Sequence, residues 1–397
     1  MPVTSSAPTA STATEPPCRL VARLAPFDSI PRAAWDRLIA RTPAATPFSR
    51  WTFQRAWWDA YGSTAHEQYL VCAPEDAPAD ASSILAIVPL MHRHEVEPED
   101  AATQTRLRGH RRAGGMAVEP TAKAVFFGAS YHADYATLLA DPTDLPEAAR
   151  ATVRALAAPP DRSHGGTEWD VIDLRRLRDL DPALPALETA FRELAPSQGW
   201  AVEREQEDVC PVVSLPAGSD WETYLASLAK KDRHEIRRKI RRAEQAGGLV
   251  FQLVDPTPAE VEAFITLHQA RWGADGLFPD TEGGARSRRF LSRLAELEMA
   301  EGPARQLQMG RLDSAGRTIF FAAGFDDGET CCFYNAGMDP EARQLSPGVT
   351  GTAAYLRDRI EAGRRRFDFL RGDEAYKYEW GAQDEPIHRL LVTRTGS

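Results

Sequence analysis

The sequence has few cysteines and no long apolar run, and each shortage excludes a class of protein. Its five cysteines are odd in number, scattered, and without a C-x-x-C pair: Cys18, Cys72, Cys210, Cys331 and Cys332. Such a set favours a reducing cytoplasm over a disulfide framework. The longest apolar run, Ile84 to Met91, has eight residues, whereas a membrane-spanning helix needs about 20. We therefore expect a cytoplasmic protein with no membrane partner.

Several catalytic signatures are also missing from the chain. No G-x-S-x-G, Walker P-loop, G-x-G-x-x-G or H-E-x-x-H motif occurs, so serine hydrolase, P-loop and zinc-protease chemistry have no support. No metal site is predicted. The 47 Lys and Arg residues against 57 Asp and Glu give a net charge of −10. Binding of nucleic acid therefore requires a local basic patch.

The order of the predicted elements indicates a layered fold. At about 150 residues per domain, the length suggests two to three domains, and short strand-like runs alternate with amphipathic helices in both halves. We predict an α/β (α+β) protein of two related domains, residues 18–205 and 206–397. Each is expected to hold a central mixed sheet flanked by helices. Residues 1–17, rich in Ser, Thr, Ala and Pro, are predicted to be a disordered tail.

One predicted helix begins at a turn that suits an anionic ligand. The segment Ser346–Thr352 follows a predicted hairpin. Pro347 suits the first turn of a helix, and Gly348 and Gly351 leave backbone N–H groups uncovered. Because a helix N-terminus carries a partial positive charge, the turn is a candidate seat for a phosphate or pyrophosphate. An ordinary helix cap is the alternative.

A second candidate site lies just past a short strand near the C-terminus. The predicted strand Phe367–Leu370 leads into a charged segment, Arg371–Lys377. Ligands of α/β sheets gather beyond the carboxyl ends of strands. The segment is therefore a candidate site, unless its charges only pair with one another.

The most basic segment is a helix in the second half. A capping pattern that starts at Ser219 predicts one helix ending at Gly247-Gly248. Its stretch Lys230–Arg242 has eight basic residues in thirteen positions. Three arginines spaced by four align on one face: Arg233, Arg237 and Arg241. This alignment suits a phosphate of a ligand, RNA, or acidic side chains from elsewhere in the protein.

Several segments together resemble a known family. They read FYNAGMDPEARQLSPG, EAGRRRFDFLRGDEAYKYEWG and LAKKDRHEIRRKIRRAEQAG, and they look like the BioF2-like (CelD-type) acyltransferase domain of the GNAT superfamily. The earlier segments TPFSRWTFQRAWWDAYG and ILAIVPLM are similar to the family's N-terminal half. The resemblance implies two GNAT-like folds in tandem, as in FemAB-type peptidyltransferases. It also implies transfer of an acyl group from acyl-CoA to an amine.

The resemblance implies roles for the candidate residues. The donor, acetyl-CoA or another acyl-CoA, is expected at the predicted turn, bound by Ser346, Pro347, Gly348, Val349, Gly351 and Thr352. Tyr376 lies roughly where GNAT enzymes often hold a tyrosine general acid, and Asp373 or Glu374 is the candidate base. Contacts with the substrate are expected from two further groups: Arg371 and Lys377, and the basic helix with Arg233, Arg237 and Arg241.

Arg271 and Trp272, at the end of a later predicted helix, have two interpretations. They line the substrate site or, alternatively, pack at the helix end. We include both residues among the candidate substrate contacts.

Two absences leave other functions open. The literal GNAT pyrophosphate signature, R/Q-x-x-G-x-G/A, does not occur, and neither does the long helical arm that FemAB enzymes insert. A FemAB-like transferase that uses aminoacyl-tRNA is therefore one alternative, and a non-catalytic binding module on the same fold is another. The acceptor is expected to be an amine of a small molecule or of a cell-envelope or polysaccharide precursor. The protein is expected to be a monomer or homodimer.

Overall fold

The computed structural model describes residues 19–77, 80–94, 121–129, 131–160 and 168–394. The predicted tail, residues 1–17, lies outside this part of the chain. The helices and strands of the first half are β1 (Leu20–Leu24), α1 (Arg32–Arg41), α2 (Trp51–Tyr61), β2 (His66–Glu67), β3 (Leu70–Pro74), β4 (Ala86–Val88), β5 (Leu90–Arg93), β6 (Ala124–Phe127), β7 (Leu139–Ala140), α3 (Leu145–Ala157), β8 (Val171–Arg178), α4 (Ala183–Gln198) and β9 (Trp200–Ser214).

The second half has a similar order of elements. They are α5 (Trp221–Ser227), α6 (Lys230–Gly247), β10 (Val250–Val254), α7 (Pro258–Trp272), α8 (Glu282–Ala300), β11 (Leu307–Ser314), β12 (Arg317–Asp326), β13 (Thr330–Met338), α9 (Pro347–Glu361), β14 (Arg366–Asp368), α10 (Ala375–Tyr378) and β15 (Gln383–Arg394).

In the part of the chain that the structure describes, each half contains one pair of parallel strands joined through a helix. In the first half β6 runs parallel to β8, with α3 between them in the chain. In the second half β13 runs parallel to β14, with α9 between them. The other strand pairings are antiparallel within the described residues. The predicted α/β class with mixed sheets is confirmed.

One sheet runs through both halves. Among the described residues its eleven strands follow the order β10-β11-β12-β13-β14-β9-β15-β8-β6-β5-β2, and a smaller sheet has the order β1-β3-β4-β7. The strand β9 joins β14 of the second half, and β15 joins β8 of the first half. The predicted boundary between residues 205 and 206 falls inside β9, and the division into domains stays a prediction.

The predicted helix from Ser219 to Gly247-Gly248 is wrong in one respect, because the chain breaks it in two. Asp220, not Ser219, caps α5 by accepting a hydrogen bond from the Thr223 N–H at 2.7 Å. Leu228 ends this helix with an extended backbone and buries its side chain in the core. The apolar spacing continues across the break, so periodicity could not reveal it. The basic segment therefore begins a helix of its own, α6.

The two halves share a hydrophobic core. Phe53 of α2 meets Phe290 of α8 with ring centroids 5.1 Å apart, and Phe48 meets Phe325 of β12 at 5.5 Å. Both contacts are edge-to-face, the geometry that aromatic rings prefer. The first half therefore packs directly on the helices and sheet of the second.

A buried carboxylate joins the same two helices. Glu298 of α8 accepts hydrogen bonds from the Arg50 guanidinium at 2.9 Å and from the Thr52 hydroxyl. It also accepts from the backbone N–H groups of Gln306 at 2.7 Å and Leu307 at 3.1 Å. Burying a charge is costly unless it is paired and hydrogen-bonded, and here both conditions are met.

We expect the substitution Glu298→Ala to destabilise the protein strongly. It leaves two backbone N–H groups without their acceptor and removes one of the two carboxylates that pair with Arg50. Loss of one partner of a buried pair costs about 3–5 kcal/mol. Urea unfolding measures the change. The matched control is Glu296→Ala on the same helix, whose carboxylate pairs with Arg293 but is 70% exposed, and exposed pairs contribute about 0–1 kcal/mol. Equal midpoints for the two variants would contradict this interpretation of Glu298.

Candidate functional site

The parallel strands β13 and β14 separate soon after they meet. They pair only from Thr330 to Cys332 on β13 and from Arg366 to Asp368 on β14. Beyond that point β13 continues along β12 as far as Met338, whereas β14 ends. The carboxyl ends of the two strands thus leave a gap in the sheet, and such strand ends are where α/β sheets bind ligands.

The turn that directly precedes α9 has the features expected of an anion seat. Ser346 adopts a left-handed backbone, φ 52°, and α9 begins at Pro347. The Ser346 hydroxyl caps no backbone N–H of this helix and instead accepts a hydrogen bond from Arg242 of α6 at 2.6 Å. An uncapped helix start beside an arginine is positive, as a phosphate group requires.

The six residues predicted to bind the donor divide into two groups. A side chain at Gly351 would meet the Phe320 ring at 2.1 Å, so this glycine lets α9 pack on β12, and Thr352 is also buried. At Gly348 a side chain would meet only the flexible end of Met338, at 3.2 Å. The turn itself is formed by Ser346, Pro347, Gly348 and Val349. Donor binding by all six residues stays a prediction.

Lys377 lies beneath the loop that leaves β14. Its ammonium donates hydrogen bonds to the backbone carbonyls of Leu370 at 3.0 Å, Arg371 at 2.8 Å and Gly372 at 2.9 Å. The Glu374 carboxylate lies 3.0 Å from the same nitrogen. Leu370 and Gly372 both have positive φ, so the lysine holds a loop of unusual backbone shape. Binding of the substrate by Lys377 stays a prediction, and these contacts already satisfy its charge.

The three residues predicted to be catalytic differ in their surroundings. Tyr376 is 44% exposed, with its ring edge against Phe369 at 6.0 Å. Partial burial and the nearby Glu374 raise the pKa of Tyr376, so its hydroxyl is protonated at neutral pH and available as a donor. Asp373 is exposed, whereas Glu374 is held by Lys377. Their catalytic roles stay predictions.

A segment of the first half lies against the diverging strands of the second. Arg371 pairs with Asp134 at 3.1 Å, and the Tyr135 hydroxyl donates to Asp368 at 2.7 Å. The Tyr334 hydroxyl of β13 donates to the backbone carbonyl of His132 at 3.0 Å. The segment His132–Tyr135 therefore contacts both β13 and the exit of β14. Sequence analysis identified Arg371 but missed its partner, because the contact joins residues more than 200 positions apart.

A small cavity opens at this junction, with room for about one water-sized group. Its apolar walls come mainly from α7, α8 and the loop between them, and its polar lining comes from His132, Ser287, Tyr334 and Asn335. Burial lowers the pKa of His132 to about 3, so the imidazole is neutral. The segment Tyr131–Tyr135, with polar and aromatic residues crowded between a strand and a helix, is the signal that could have identified His132.

The basic helix α6 borders the turn at Ser346 through Arg242, which sequence analysis did not single out. The three aligned arginines behave differently from one another. Arg237 pairs with Glu222 of α5, Arg233 donates to the Ala226 carbonyl at 2.7 Å, and Arg241 is exposed. Part of the helix's charge is thus offset within the protein, and ligand binding by the three arginines stays a prediction.

Arg271 and Trp272 lie beside the far end of β13. The Trp272 indole donates to the Ala336 carbonyl of this strand at 3.2 Å, and Arg271 stacks over the indole with 4.8 Å to the ring centroid. Trp272 is 42% exposed. The pair therefore packs on β13 and remains open to solvent, and substrate contact stays a prediction.

Two further observations limit the chemistry of the described residues. No group of three or more His, Cys, Asp or Glu side chains among them is arranged to hold a metal ion. None of their helices is both long enough and apolar enough to cross a membrane.

Residues 230–378 match the family model of the acetyltransferase (GNAT) domain. This range contains the turn at Ser346, the diverging strands and the exit of β14. The chain thus carries a GNAT domain, and the predicted resemblance to that superfamily is confirmed. None of the curated proteins matches the chain.

Three solved structures align with both halves of the chain. A crystal structure of FemX aligns with a TM-score of 0.55 and 9% identity, covering 91% of this chain and 96% of that one. A conserved protein of unknown function from Bacteroides thetaiotaomicron gives 0.52 and 13%, covering 92% and 98%. A tandem GNAT protein from the clavulanic acid biosynthesis pathway gives 0.46 and 11%, covering 95% and 98%. At these identities the first two alignments show the fold alone.

The buried carboxyl of Asp368, where the strands separate, is sensitive to pH. Desolvation raises its pKa from 3.8 to about 6, although Tyr135 and the Leu370 N–H both donate to it. Because the folded-state pKa is the higher one, this group's contribution to stability is full below about pH 4. It is lost as the pH rises through about 6.

We expect Asp368→Asn to remove this pH dependence. The amide imitates the protonated acid, since it can accept from Leu370 and donate to the Tyr135 oxygen. Unfolding by urea between pH 4 and pH 8 measures the effect, which amounts to up to about 3 kcal/mol in favour of the variant at pH 8. Asp384→Asn is the control, because Asp384 accepts from Tyr378 on the surface. If the free energies of unfolding of the wild type and Asp368→Asn change with pH in parallel, the raised pKa of Asp368 is refuted.

Proposed function

We propose that the protein is an N-acyltransferase that moves an acyl group from acyl-CoA to an amine, carried by a small molecule or a cell-envelope or polysaccharide precursor. One observation carries the proposal: within the matched GNAT domain, two parallel strands separate beside an uncapped helix start at Ser346. The helix start suits the pyrophosphate of a coenzyme. The gap between the strands suits the extended arm of the coenzyme that connects its pyrophosphate to the thioester.

The side chains of β13 supply a different surface on each face of the gap. Phe333 faces α9, with its ring 5.9 Å from Tyr355 of that helix, and it contacts Phe369 at the same distance. Tyr334, next in the strand, faces the opposite side and lines the junction cavity. We propose that the turn at Ser346 holds the donor on the α9 face. The acceptor amine then meets the acyl carbonyl on the Tyr334 face.

In the proposed reaction the amine nitrogen attacks the thioester carbon, so a C–N bond forms and the C–S bond breaks. Tyr376, which lies on the α9 face beside Phe369, protonates the departing sulfur. Asp373 or Glu374 is the proposed base, acting directly or through water. Arg371, positioned by Asp134, orients an anionic part of the acceptor together with the loop that Lys377 holds.

Donor binding can be tested with one substitution at the turn. We expect Gly348→Glu to weaken acetyl-CoA binding at least about tenfold, because the added carboxylate repels the pyrophosphate at a helix start. The nearest contact of a new side chain is the flexible end of Met338, so the fold should tolerate it. Calorimetry with acetyl-CoA and with longer acyl-CoAs measures affinity and donor preference.

The matched control is Ala362→Glu, which adds the same side chain at the exposed C-terminal end of the same helix. It should bind acetyl-CoA as the wild type does. If the wild-type protein binds no acyl-CoA of any length, the coenzyme proposal fails. A non-catalytic binding module would then be the better account of the fold.

The basic helix supports a second candidate function. Its eight Lys and Arg residues in thirteen positions lie next to the proposed donor seat, and aminoacyl-tRNA would offer them phosphates. Contacts with several phosphates make affinity fall steeply as salt rises. The −10 net charge and the missing FemAB arm make acyl-CoA our first proposal.

Salt dependence separates the two donors. The acyl-CoA proposal predicts weak tRNA binding that is similar in the wild type and in the double variant Arg237→Glu/Arg241→Glu. The control exchanges two exposed arginines of the first half, Arg150 and Arg192, for Glu. Filter binding at 50 and 200 mM salt is the measurement. Tight, strongly salt-dependent binding that only the Arg237/Arg241 variant loses would establish the tRNA donor instead.

A further inference from the structure

We propose that α6 is the docking surface for an acidic acyl carrier protein, which delivers the acyl group as a phosphopantetheine thioester. The inference rests on the proposed function, since it concerns how the donor of that reaction is carried. Coenzyme A and acyl carrier proteins present the same phosphopantetheine arm and the same thioester. They differ at the other end of the arm, where the coenzyme continues into a phosphorylated adenosine nucleotide and the carrier into an acidic protein surface.

The turn at Ser346 offers few uncommitted hydrogen-bond donors. The N–H groups of Val349 and Thr350 donate to the Ser346 carbonyl at 2.9 and 3.0 Å. The Gly348 N–H has no such acceptor among the described residues, and the Arg242 guanidinium lies at the Ser346 hydroxyl. One N–H and one guanidinium suit a single phosphate group, which is what the arm of a carrier protein holds. In acetyl-CoA the phosphate joined to the arm would take the same place.

Exposed basic side chains continue from this turn along α6. We call them the basic ridge, formed by Lys230, Lys231, Arg238, Arg241 and Arg242. Within the part of the chain that the structure describes, only Arg238 of this ridge pairs with a carboxylate, that of Glu235 at 2.7 Å. The ridge extends for about 18 Å from Arg242 to Lys230, at about 1.5 Å of rise per residue. Most of its charge is therefore available to an anionic partner.

The ridge is better matched by a protein surface than by a nucleotide. The nucleotide of acetyl-CoA adds only two phosphate groups to the one that is joined to the arm. An acidic protein presents carboxylates over a wide area and so meets basic residues at both ends of the ridge. Such complementary charge steers association and fixes the orientation of two proteins. The net charge of −10 does not prevent docking, because salt screens exposed charges more than about 8 Å apart.

RNA would also complement the ridge in charge, but the gap between the strands favours the carrier. β13 and β14 are still paired at Cys332 and Asp368, just before they separate, so the gap is narrow where it begins. An extended phosphopantetheine arm fits such a gap. In aminoacyl-tRNA the reacting ester is joined directly to a ribose, which is bulkier. RNA binding is therefore an outcome that the experiment can give, and the carrier is our proposal.

The chemistry at the gap is the same with either thioester donor. The amine nitrogen forms the C–N bond, the C–S bond breaks, and Tyr376 protonates the sulfur. The carrier then leaves as a free thiol. The proton that the amine releases passes through Asp373 or Glu374 to water, and water restores the proton of Tyr376.

Reversal of charge at the far end of the ridge tests the proposal. The double variant Lys230→Glu/Lys231→Glu places two carboxylates in the first turn of α6, where the helix dipole favours negative charge, so the fold should be kept. Calorimetry at about 150 mM salt compares four ligands. They are acetyl-CoA, an acyl carrier protein that bears acetyl-phosphopantetheine, the same carrier without its arm, and tRNA.

We expect the lysine variant to bind the acetylated carrier at least about tenfold more weakly than the wild type does, because like charges across an interface repel. Its affinity for acetyl-CoA should stay within about twofold, since both lysines lie more than about 16 Å along the helix from Arg242. The wild type should bind the acetylated carrier more tightly than the carrier without its arm, because the arm occupies the gap.

The matched control is Arg150→Glu/Arg192→Glu, which makes the same change of charge at exposed arginines of α3 and α4. This control should bind the acetylated carrier as the wild type does. Equal losses of carrier affinity in the control and in the lysine variant would show a general effect of charge and would refute docking on α6.

The remaining outcomes separate this inference from the proposed function. If the acetylated carrier binds no better than the carrier without its arm, or binds the lysine variant as well as the wild type, docking is refuted. Binding of acetyl-CoA would then leave the proposed function standing. If tRNA and not the carrier depends on the two lysines, the ridge belongs to RNA and the inference is overturned. If neither acetyl-CoA nor the acetylated carrier binds, both proposals fail.

Discussion

The pairing of two long strands in the middle of the large sheet determines the rest of the architecture. β9 leaves the first half and pairs with β14, while β15 returns from the second half and pairs with β8. The two strands also pair with each other from Gln383 to Arg394 of β15. Each half thus needs a strand of the other to complete its sheet. Separating the halves would break these backbone hydrogen bonds. Their N–H and C=O groups would then have no partners, which costs free energy.

This exchange of strands brings the first half to the candidate site of the second. The segment His132–Tyr135 contacts both strands that border the gap, through Tyr334 on one side and Arg371 and Asp368 on the other. The shared aromatic core and the Glu298 cluster fix the same junction from α2 and α8. In this account the first half is part of the site wall, and sites at such junctions are where ligands commonly bind.

Local patterns predicted much of this structure, and long-range contacts account for the rest. The α/β class, the helix that begins at Pro347 and the exit of β14 could be predicted, because spacing and capping act over a few residues. The break at Leu228 could not, since the apolar spacing continues across it and Leu228 is buried in the core like its neighbours. The three backbone carbonyls that accept hydrogen bonds from Lys377 are brought together by the shape of a loop, and composition does not encode that shape. The contacts of His132 with Tyr61 and Tyr334 join residues that are far apart in the sequence, so local patterns could not predict them.

A crystal structure with an unreactive thioether analogue of acetyl-CoA tests the central claim most directly, namely that one site at the junction uses both halves. The account predicts that the pyrophosphate lies on the N–H groups at Gly348 and that the arm of the coenzyme lies between β13 and β14. It places the carbonyl carbon beside Tyr334, about 3–4 Å from where the acceptor nitrogen would bind. Coenzyme bound between β6 and β8, or at the turn but directed away from the cavity, would contradict it.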